Sequence, residues 1–335
     1  MKQLSDPLKL RNLTLKNRLV RSATWEGAAD RQGHIDEHLL SIYKELAQGG
    51  TALIIGGFTS VSDSDVYIEG VMRLAHDDII PEYRKLTDIV HQENCAIIAQ
   101  LALGAYYRQG KQIEPNFMTA EDIQTAVQQF INAAVRAEKA GFDGVQIHAA
   151  HFFFLSRFIS PKANRRTDQY GGSSENRLRI LLEIMEGIRQ AAPSLHITIK
   201  INSSDFTYGG LDNDESLYIC QRLAGAGIDS IEVSGNGTSV AGIRPHRNEA
   251  YFLEFAAQLA QQVSTPIILV GGLRSRDTME KILNTTKIEL LSLSRPLLRE
   301  PDFSNRLLSE KDAISPCISC NNCYSSYYHE CIFRK

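Results

Sequence analysis

The sequence lacks any apolar stretch of about 18 or more residues, the length that a membrane-spanning helix needs, and residues 1–20 lack the apolar core of a signal peptide. It also lacks a block of basic residues, because 36 Lys and Arg stand against 39 Asp and Glu for a net charge of -3. These absences argue against a membrane protein and against a nucleic-acid or anionic-lipid partner. They predict a cytoplasmic protein.

Cysteine is scarce outside the C-terminus. Only Cys95 and Cys220, of six cysteines, precede the last nineteen residues, so a disulfide framework for the whole chain is not indicated. Both lie in segments where buried, unreactive thiols are expected. With 43% hydrophobic and 22% charged residues, the chain has an ordinary globular composition. A length of 335 residues is compatible with one domain, because α/β barrels of this size fold as one unit.

Short aliphatic or β-branched runs recur eight times, and longer segments with helical period separate them. One such segment, 119–141, begins at a cap formed by Thr119 and Asp122 and ends at Gly141. The eight runs are LVRSA near Val20, ALIIG near Ile54, AIIAQL near Ile98, GVQIH near Val145, ITIKI near Ile199, SIEVS near Ile231, PIILVGG near Leu269 and LLSLS near Leu291.

Continuous apolar strands that alternate with amphipathic helices indicate a parallel sheet covered by helices. Eight repeats of this unit predict the α/β class and a closed (β/α)8 TIM barrel. The rival is an open doubly wound sheet, which usually carries G-x-G-x-x-G after its first strand, and this motif does not follow Val20. In a barrel, the residues that follow each strand are the ones expected to carry chemistry.

The segment from Ile147 to Arg179 reads IHAAHFFFLSRFISPKANRRTDQYGGSSENRLR. It resembles the signature of the old yellow enzymes, the FMN-dependent NAD(P)H oxidoreductases, in which a histidine pair at a strand end precedes an S-P-x-x-N-x-R-x-D-x-Y-G-G-x-x-E-N-R run. The likeness extends to the opening DPLKLRNLTLKNRLVRSAT, to Gln100 and Lys200, and to the VGG and LSRPLLREPDF segments. It implies an FMN-binding barrel over residues 1–310, NAD(P)H as electron donor, a small-molecule substrate and a homo-oligomer.

His148 and His151 lie three residues apart where the fourth strand ends. One short loop can therefore aim both imidazoles at a single point, where two donors polarise a carbonyl, nitro or phenolate oxygen. The alternatives are a metal pair and two histidines bonded to neighbouring backbone. A metal site lacks a nearby Glu, Asp or third His as ligand.

The resemblance implies where FMN is held. It places the backbone of Ala23 and Thr24 at the flavin edge, Phe58 beside the isoalloxazine and Gln100 at the pyrimidine ring. Lys200 corresponds to the family's cation near flavin N1 and O2, where a positive charge stabilises the reduced flavin and raises its reduction potential. The alternative for Lys200 is a lysine ion-paired inside the barrel.

A phosphate site is expected after the seventh and eighth strands, where barrels often bind phosphate. Gly271 and Gly272 allow the backbone to approach an anion closely, while Ser294 and Arg295 add N–H groups and a guanidinium. Both motifs occur at the ends of the expected strands and in the expected order.

Two positions depart from the family pattern. Phe153 stands where the reductases usually have a proton-donating tyrosine, so enone reduction needs another donor, such as water, Tyr106 or Tyr107, or is not the natural reaction. Trp25 stands where Thr, Cys or His is common in the family. If the alignment with the family is shifted by one residue, Thr24 takes this position instead. We expect Trp25, Phe153 and Tyr106 to line the substrate pocket.

The tail 311–335 contains Cys317, Cys320, Cys323 and Cys331 in a C-x2-C-x2-C-x7-C pattern. A similar motif follows the barrel in the relatives 2,4-dienoyl-CoA reductase and trimethylamine dehydrogenase, where a [4Fe-4S] cluster passes electrons to a second flavin domain. Three readings stay open: a cluster fed by a separate electron-transfer protein, a structural zinc site in which His329 could replace one thiolate, and free thiols.

The sequence therefore predicts an FMN-dependent enzyme that passes hydride between NAD(P)H and a small electron-poor molecule of the enone, quinone or nitro type. One alternative is the reverse direction, as in an amine dehydrogenase. Another is a flavin electron-transfer protein that uses a C-terminal cluster.

Overall fold

A closed ring of parallel strands forms the centre of the molecule, described here from a computed structural model for residues 1–237 and 239–334. The strands are β1 (Leu8–Leu10), β2 (Leu13–Leu15), β3 (Leu19–Arg21), β4 (Leu53–Ser60), β5 (Met72–Arg73), β6 (Ala96–Ala102), β7 (Tyr106–Arg108), β8 (Lys111–Ile113), β9 (Gly144–Ala149), β10 (His196–Asn202), β11 (Ser230–Ser234), β12 (Ile267–Leu269) and β13 (Leu290–Leu293). The ring strands pair in the order β3-β13-β12-β11-β10-β9-β6-β4, and β4 pairs back with β3.

All pairings around the ring are parallel, and each of the eight predicted apolar runs forms one ring strand. The pairing of Val20 with Leu53 joins β3 to β4 and closes the ring. In an open sheet, the two edge strands would have no such pairing. The predicted TIM barrel is therefore confirmed, and the doubly wound alternative is excluded.

Helices surround the ring. At the start of the helix Ala120–Lys139, the Asp122 N–H donates to Thr119 Oγ1 at 3.1 Å and the Thr119 N–H donates to Asp122 Oδ2 at 2.8 Å, which is the predicted reciprocal cap. The helices are α1 (Glu37–Gln48), α2 (Ile80–His91), α3 (Ala120–Lys139), α4 (Phe154–Ile159), α5 (Ser174–Arg177), α6 (Arg179–Ala191), α7 (Asn213–Gly225), α8 (Leu253–Gln262), α9 (Arg276–Thr285), α10 (Arg295–Arg299) and α11 (Phe303–Ser309), with 3-10 turns at Pro115–Phe117, Asn322–Ser325 and Tyr327–His329.

Two layers of apolar side chains hold the barrel together. The hairpin β1–β2 closes its amino end, where Leu13 and Leu15 join Val20, Ile55 and Ile98 in one buried cluster. The larger cluster lies between the strands and the helices. Because the amino end is plugged, side chains inside the barrel are accessible only from the carboxyl end of the strands.

Strand alternation decides which side chains face the interior. In β10, Ile197, Ile199 and Ile201 belong to the cluster under the helices, so Thr198 and Lys200 point into the barrel. Polar residues that interrupt the apolar runs are thus gathered inside the ring.

A bulge in β4 adjusts its carboxyl end. The register with β6 shifts between Ile55 and Phe58, across Gly56 and Gly57. A Cβ at Gly57 would lie 2.6 Å from the Thr24 carbonyl oxygen, so this position has no room for a side chain. The bulge sets Phe58 directly beside Gln100 on β6.

The C-terminal tail packs on the barrel. Arg274 donates to Ser319 Oγ at 2.8 Å, and Arg334 pairs with Glu45 on α1. Lys335, the last residue of the predicted cysteine-rich segment, lies outside the described residues. None of the described helices has both the length and the apolar character needed to cross a bilayer.

Candidate active site

A cavity opens at the carboxyl end of the barrel, and every ring strand or its following loop contributes to it. Its cavity volume is about 200 Å³, and it opens to solvent at its mouth. Its lining contains the predicted residues Ala23, Thr24, Trp25, Phe58, Gln100, His148, His151, Phe153, Lys200, Gly271, Gly272, Ser294 and Arg295. One cavity therefore joins the two predicted catalytic histidines to the whole predicted cofactor set.

Tyr106 is not part of this lining. It begins β7, and its hydroxyl lies 3.2 Å from Asp122 Oδ1 at the start of α3, where Arg108 also binds. The residue is 7% exposed. The hydrogen bond to Asp122 turns the phenol away from the barrel axis, so the structure does not bring Tyr106 to the substrate pocket.

His148 and His151 lie side by side in the cavity, with ring centroids 5.0 Å apart and ring planes at 87°. The backbone N–H of Ala150 donates to His148 Nδ1 at 3.3 Å, which leaves the hydrogen of the neutral ring on Nε2. His151 has a left-handed backbone (φ 63°), held by its N–H bond of 3.1 Å to Asn202 Oδ1. Its Nε2 lies 2.8 Å from Ser234 Oγ.

Both histidines are uncharged at neutral pH. Burial holds the pKa of His148 well below its ordinary value, and the neighbouring His151 and Lys200 add to this shift. Burial, together with Lys200, lowers the pKa of His151 to about 3. The pair can therefore donate hydrogen bonds as neutral imidazoles, while neither ring acts as an imidazolium acid near pH 7.

Aromatic rings form one wall beside the histidines. The Phe153 ring centroid lies 5.1 Å from His148 and 5.3 Å from Phe58, both in edge-on contacts. Tyr67 packs on the far side of Phe153 at 6.0 Å. Phe153 thus lies next to the two histidines and presents carbon atoms there instead of a hydroxyl group.

A polar layer crosses the barrel below the cavity, formed by Gln100, Gln146, Lys200 and Glu232 with two serines. Gln100 donates to Gln146 at 2.8 Å, and Gln146 donates to Glu232 at 2.9 Å. Lys200 Nζ donates to Glu232 at 2.8 Å, so the alternative reading of Lys200 as an ion-paired barrel lysine also describes the structure. Ser22 and Ser292 complete the layer, each with a 2.8 Å bond to Glu232.

The loops after β12 and β13 form the opposite side of the cavity. Gly271 and Gly272 have φ values of 122° and 78°, a region that side chains strongly disfavour. A Cβ at either glycine would approach the Tyr251 ring to 2.8–3.2 Å. Arg295 Nη1 donates to the Val240 carbonyl at 2.9 Å, in the loop that follows β11, and to Asn321 Oδ1 at 2.6 Å, in the C-terminal tail.

Thr24 and Trp25 occupy different places in the lining. Thr24 Oγ1 lies 2.9 Å from Ser294 Oγ, deep in the cavity. Trp25 is 36% exposed, donates its Nε1 hydrogen to the Glu69 carbonyl at 3.1 Å and packs on His329 at 4.1 Å between ring centroids. Trp25 therefore belongs to the rim, where the tail meets the barrel.

The tail cysteines line a second, smaller cavity beside the first, and all four of Cys317, Cys320, Cys323 and Cys331 contribute to it. Across the part of the chain that the structure describes, no three His, Cys, Asp or Glu side chains are grouped as a metal site. The four thiols are therefore neighbours around one cavity. Cys323 and Arg295 line both cavities.

Several residues of the site were not predicted. Glu232 and Gln146 could have been predicted to face the barrel interior, since each is a polar residue inside an apolar strand run, SIEVS and GVQIH. Tyr324 and His329 line the cavity from the tail, and no local pattern indicates this. Their position depends on how residues far apart in the chain pack together.

Known proteins share these features. The model of the NADH:flavin oxidoreductase / NADH oxidase family matches residues 3–109 and 103–313. The 4,4'-dithiodibutanoate disulfide reductase of Rhodococcus erythropolis is 30% identical over 98% of this chain and 94% of its own length. The NADPH dehydrogenase of Bacillus subtilis is 30% identical over 90% of this chain and 93% of its own.

A metal reductase of Desulforamulus reducens is 31% identical over 96% of this chain, which spans only 51% of that longer protein. Among solved structures, a 2-naphthoyl-CoA reductase complex superposes with a TM-score of 0.90 at 23% identity, covering 99% of this chain and 56% of its own. The old yellow enzyme homologue of Zymomonas mobilis superposes at 0.78 and 21% identity, over 95% of both chains. The chain therefore belongs to the NADH:flavin oxidoreductase / NADH oxidase family, the old yellow enzyme family that its motifs predict, and is an FMN-dependent NAD(P)H oxidoreductase.

Proposed function

We propose that this chain reduces a small electron-poor organic molecule, of the enone, quinone or nitro type, that is held at His148 and His151 in the barrel cavity. The observation that carries the proposal is the pair itself: two uncharged imidazoles, 5.0 Å apart, in the same cavity as Gln100, Lys200 and Arg295. The relatives' names include reductases of different substrates, and it is the site itself that favours an electron-poor acceptor.

The cavity residues fit FMN. Gly271 and Gly272 line the cavity together with Arg295, whose guanidinium supplies the positive charge that suits a phosphate. Gln100 and Lys200 supply an amide and a cation for the polar edge of the flavin ring. When bound, FMN supplies hydride transfer between NAD(P)H and the substrate.

The two histidines orient the substrate. A neutral imidazole keeps one N–H donor at any pH well above its lowered pKa, so His148 can donate to a substrate oxygen through Nε2. Donors fixed in a buried cavity stabilise negative charge that develops on this oxygen. His151 is held in place by Asn202 and Ser234, which fixes the position of the second imidazole of the pair.

Phe153 narrows the substrate class. Saturation of an alkene requires a proton at carbon, and Phe153 places no ionisable group beside His148. Quinones and nitro groups take up protons on oxygen, which exchanges readily with water. We therefore expect quinone or nitro reduction to be faster than enone reduction.

Phenol binding tests this assignment. The double variant His148→Ala with His151→Ala should bind FMN normally and lose the long-wavelength absorbance that a phenol gives when it binds over the flavin. The matched control, His34→Ala with His76→Ala, removes two exposed imidazoles that pair with surface carboxylates. Phenol binding retained by the cavity variant would contradict the proposal.

An electron-transfer role is the second candidate, favoured by the position of Cys323 in the lining of both cavities. A [4Fe-4S] cluster or zinc at the four tail cysteines, and a protein partner that delivers electrons there, stay predictions. Anaerobic purification followed by iron, zinc and FMN analysis tests them. FMN without turnover of NAD(P)H in the presence of quinone or oxygen would favour this role, and turnover of an amine would favour a dehydrogenase.

We also propose that residues 1–310 form the FMN-binding unit and that residues 311–335 form a tail on it, in a cytoplasmic homo-oligomer. Sedimentation velocity of the purified protein measures the number of subunits.

A further inference from the structure

Glu232 is the centre of the polar layer and has no place in the proposed chemistry. It lies in the middle of β11, fully buried inside the barrel. Ser22 and Ser292 donate to its Oε1 at 2.8 Å, while Lys200 and Gln146 donate to its Oε2 at 2.8 and 2.9 Å. A carboxylate only accepts hydrogen bonds, so four donors saturate it.

This carboxylate is ionised at neutral pH. Burial by itself would raise the pKa of Glu232, but the Lys200 charge and the hydrogen bonds from Lys200, Gln146 and Ser22 outweigh burial and hold the pKa below its ordinary value. Glu232 and Lys200 are therefore a buried ion pair of zero net charge.

The pair is placed asymmetrically with respect to the cavity. Lys200 lines the cavity, whereas Glu232 does not and lies behind Lys200. A group bound above Lys200 therefore experiences the ammonium charge partly offset by a carboxylate 2.8 Å from it. In a buried, low-dielectric setting, such an offset changes the local potential substantially.

Glu232 also fixes the direction of a chain of amides. Because a carboxylate cannot donate, Gln146 must turn its Nε2 toward Glu232, which leaves Gln146 Oε1 to accept from Gln100 Nε2. One amide hydrogen of Gln100 is thereby committed to the layer. Its carbonyl oxygen and its second N–H are left for the cavity.

We propose that Glu232 is a positioning residue that sets the charge and the hydrogen-bond direction of the polar layer, and so lowers the reduction potential of bound FMN below the value that Lys200 alone would impose. The inference rests on the proposed function only in that FMN occupies this cavity. A cation near the flavin favours its reduced form. Glu232 opposes that effect without touching the flavin.

The experiment compares FMN affinities in the two redox states. In Glu232→Gln, the ratio of the dissociation constants for oxidised and reduced FMN should rise about tenfold, equal to about 30 mV upward for a two-electron couple. Glu232→Asp keeps the charge and should stay within about threefold of wild type. Glu186→Gln, an exposed substitution on α6, makes the same change in net charge and should leave the ratio unchanged. An unchanged ratio in Glu232→Gln overturns the inference.

An unpaired buried lysine can prevent folding, so a charge-balanced variant is included. Lys200→Met combined with Glu232→Gln removes both charges, and its ratio should remain within about threefold of wild type. A fall of more than tenfold would mean that Glu232 offsets less than half of the effect of Lys200, which also overturns the inference.

Failure of this inference is distinguishable from failure of the proposed function. Wild-type protein that binds no FMN contradicts the proposed function. Variants that bind FMN with an unaltered potential contradict only the role of Glu232.

Discussion

Single side chains decide much of the chemistry available in this cavity. Phe153 and His148 lie in edge-on contact, so the position nearest the donor pair is apolar. Burial keeps His148 neutral, since an imidazolium would lose its hydration without gaining a counter-ion. At this scale, the cavity places two neutral imidazoles beside an aromatic ring that carries no ionisable hydrogen.

Restoring a hydroxyl at position 153 should change the substrate preference. We expect Phe153→Tyr to raise the rate of enone reduction roughly 100-fold, the lower end of what a positioned acid contributes. Quinone reduction should change little, and steady-state kinetics with both substrates measures the difference. Phe152→Tyr is the control, since Phe152 is 38% exposed beside the cavity. Equal effects on both substrates would argue against a missing proton donor.

The neutral state of His148 predicts a dependence of stability on pH. Below pH 6.5 the unfolded chain binds a proton at this residue and the folded chain does not, so the free energy of unfolding falls as the pH falls. For His148→Asn, that loss should be smaller by about 1 kcal/mol between pH 6 and pH 5. Urea denaturation of the FMN-free proteins at both pH values measures it. Parallel losses in both proteins would contradict a depressed pKa.

At the scale of elements, the ring strands could be predicted from the sequence because both of their faces are covered, so each is a continuous apolar run. The run SIEVS became β11 without change of bounds. The ends of other strands were harder to predict. Strand β4 continues to Ser60 through the bulge at Gly57. Strand β12 stops at Leu269 because Gly271 leaves the strand conformation. A local pattern cannot foresee a bulge that depends on the register with a neighbouring strand.

The cap of α3 is local and should contribute a measurable free energy. Thr119→Ala removes the acceptor for the Asp122 N–H and should lower the free energy of unfolding by about 1 kcal/mol. Thr119→Ser keeps a hydroxyl and should lie within a few tenths of wild type. Chemical denaturation of the three proteins measures both differences, and an equal loss in the serine variant would assign the effect to packing of the threonine methyl group.

At the scale of the whole molecule, the tail is joined to the barrel at both ends. Ser319 binds Arg274 near its start, and Arg334 pairs with Glu45 near its end. Between these contacts, His329 packs on Trp25 at the rim of the cavity. The tail thus forms part of the cavity wall as well as a separate cysteine cavity.

Trp25 is the only tryptophan and reports on this junction. Because the tail is anchored on two sides, we expect Trp25 fluorescence and far-UV circular dichroism to show the same urea midpoint. The variant His329→Ala should shift the emission while leaving the dichroism midpoint within error. A fluorescence transition at clearly lower urea would mean that the tail unfolds before the barrel.

The sequence by itself determined the eight strands, the closed barrel and the family. The spacing of apolar residues and a long motif are both properties of neighbouring positions in the chain, so they can be recognised without a structure. It also indicated which strand ends would converge. Only the tertiary structure decided that Tyr106 faces Asp122, that Glu232 neutralises Lys200 and that His329 reaches Trp25. These contacts join residues from different elements, so their partners are settled by packing and burial and not by neighbours in the chain.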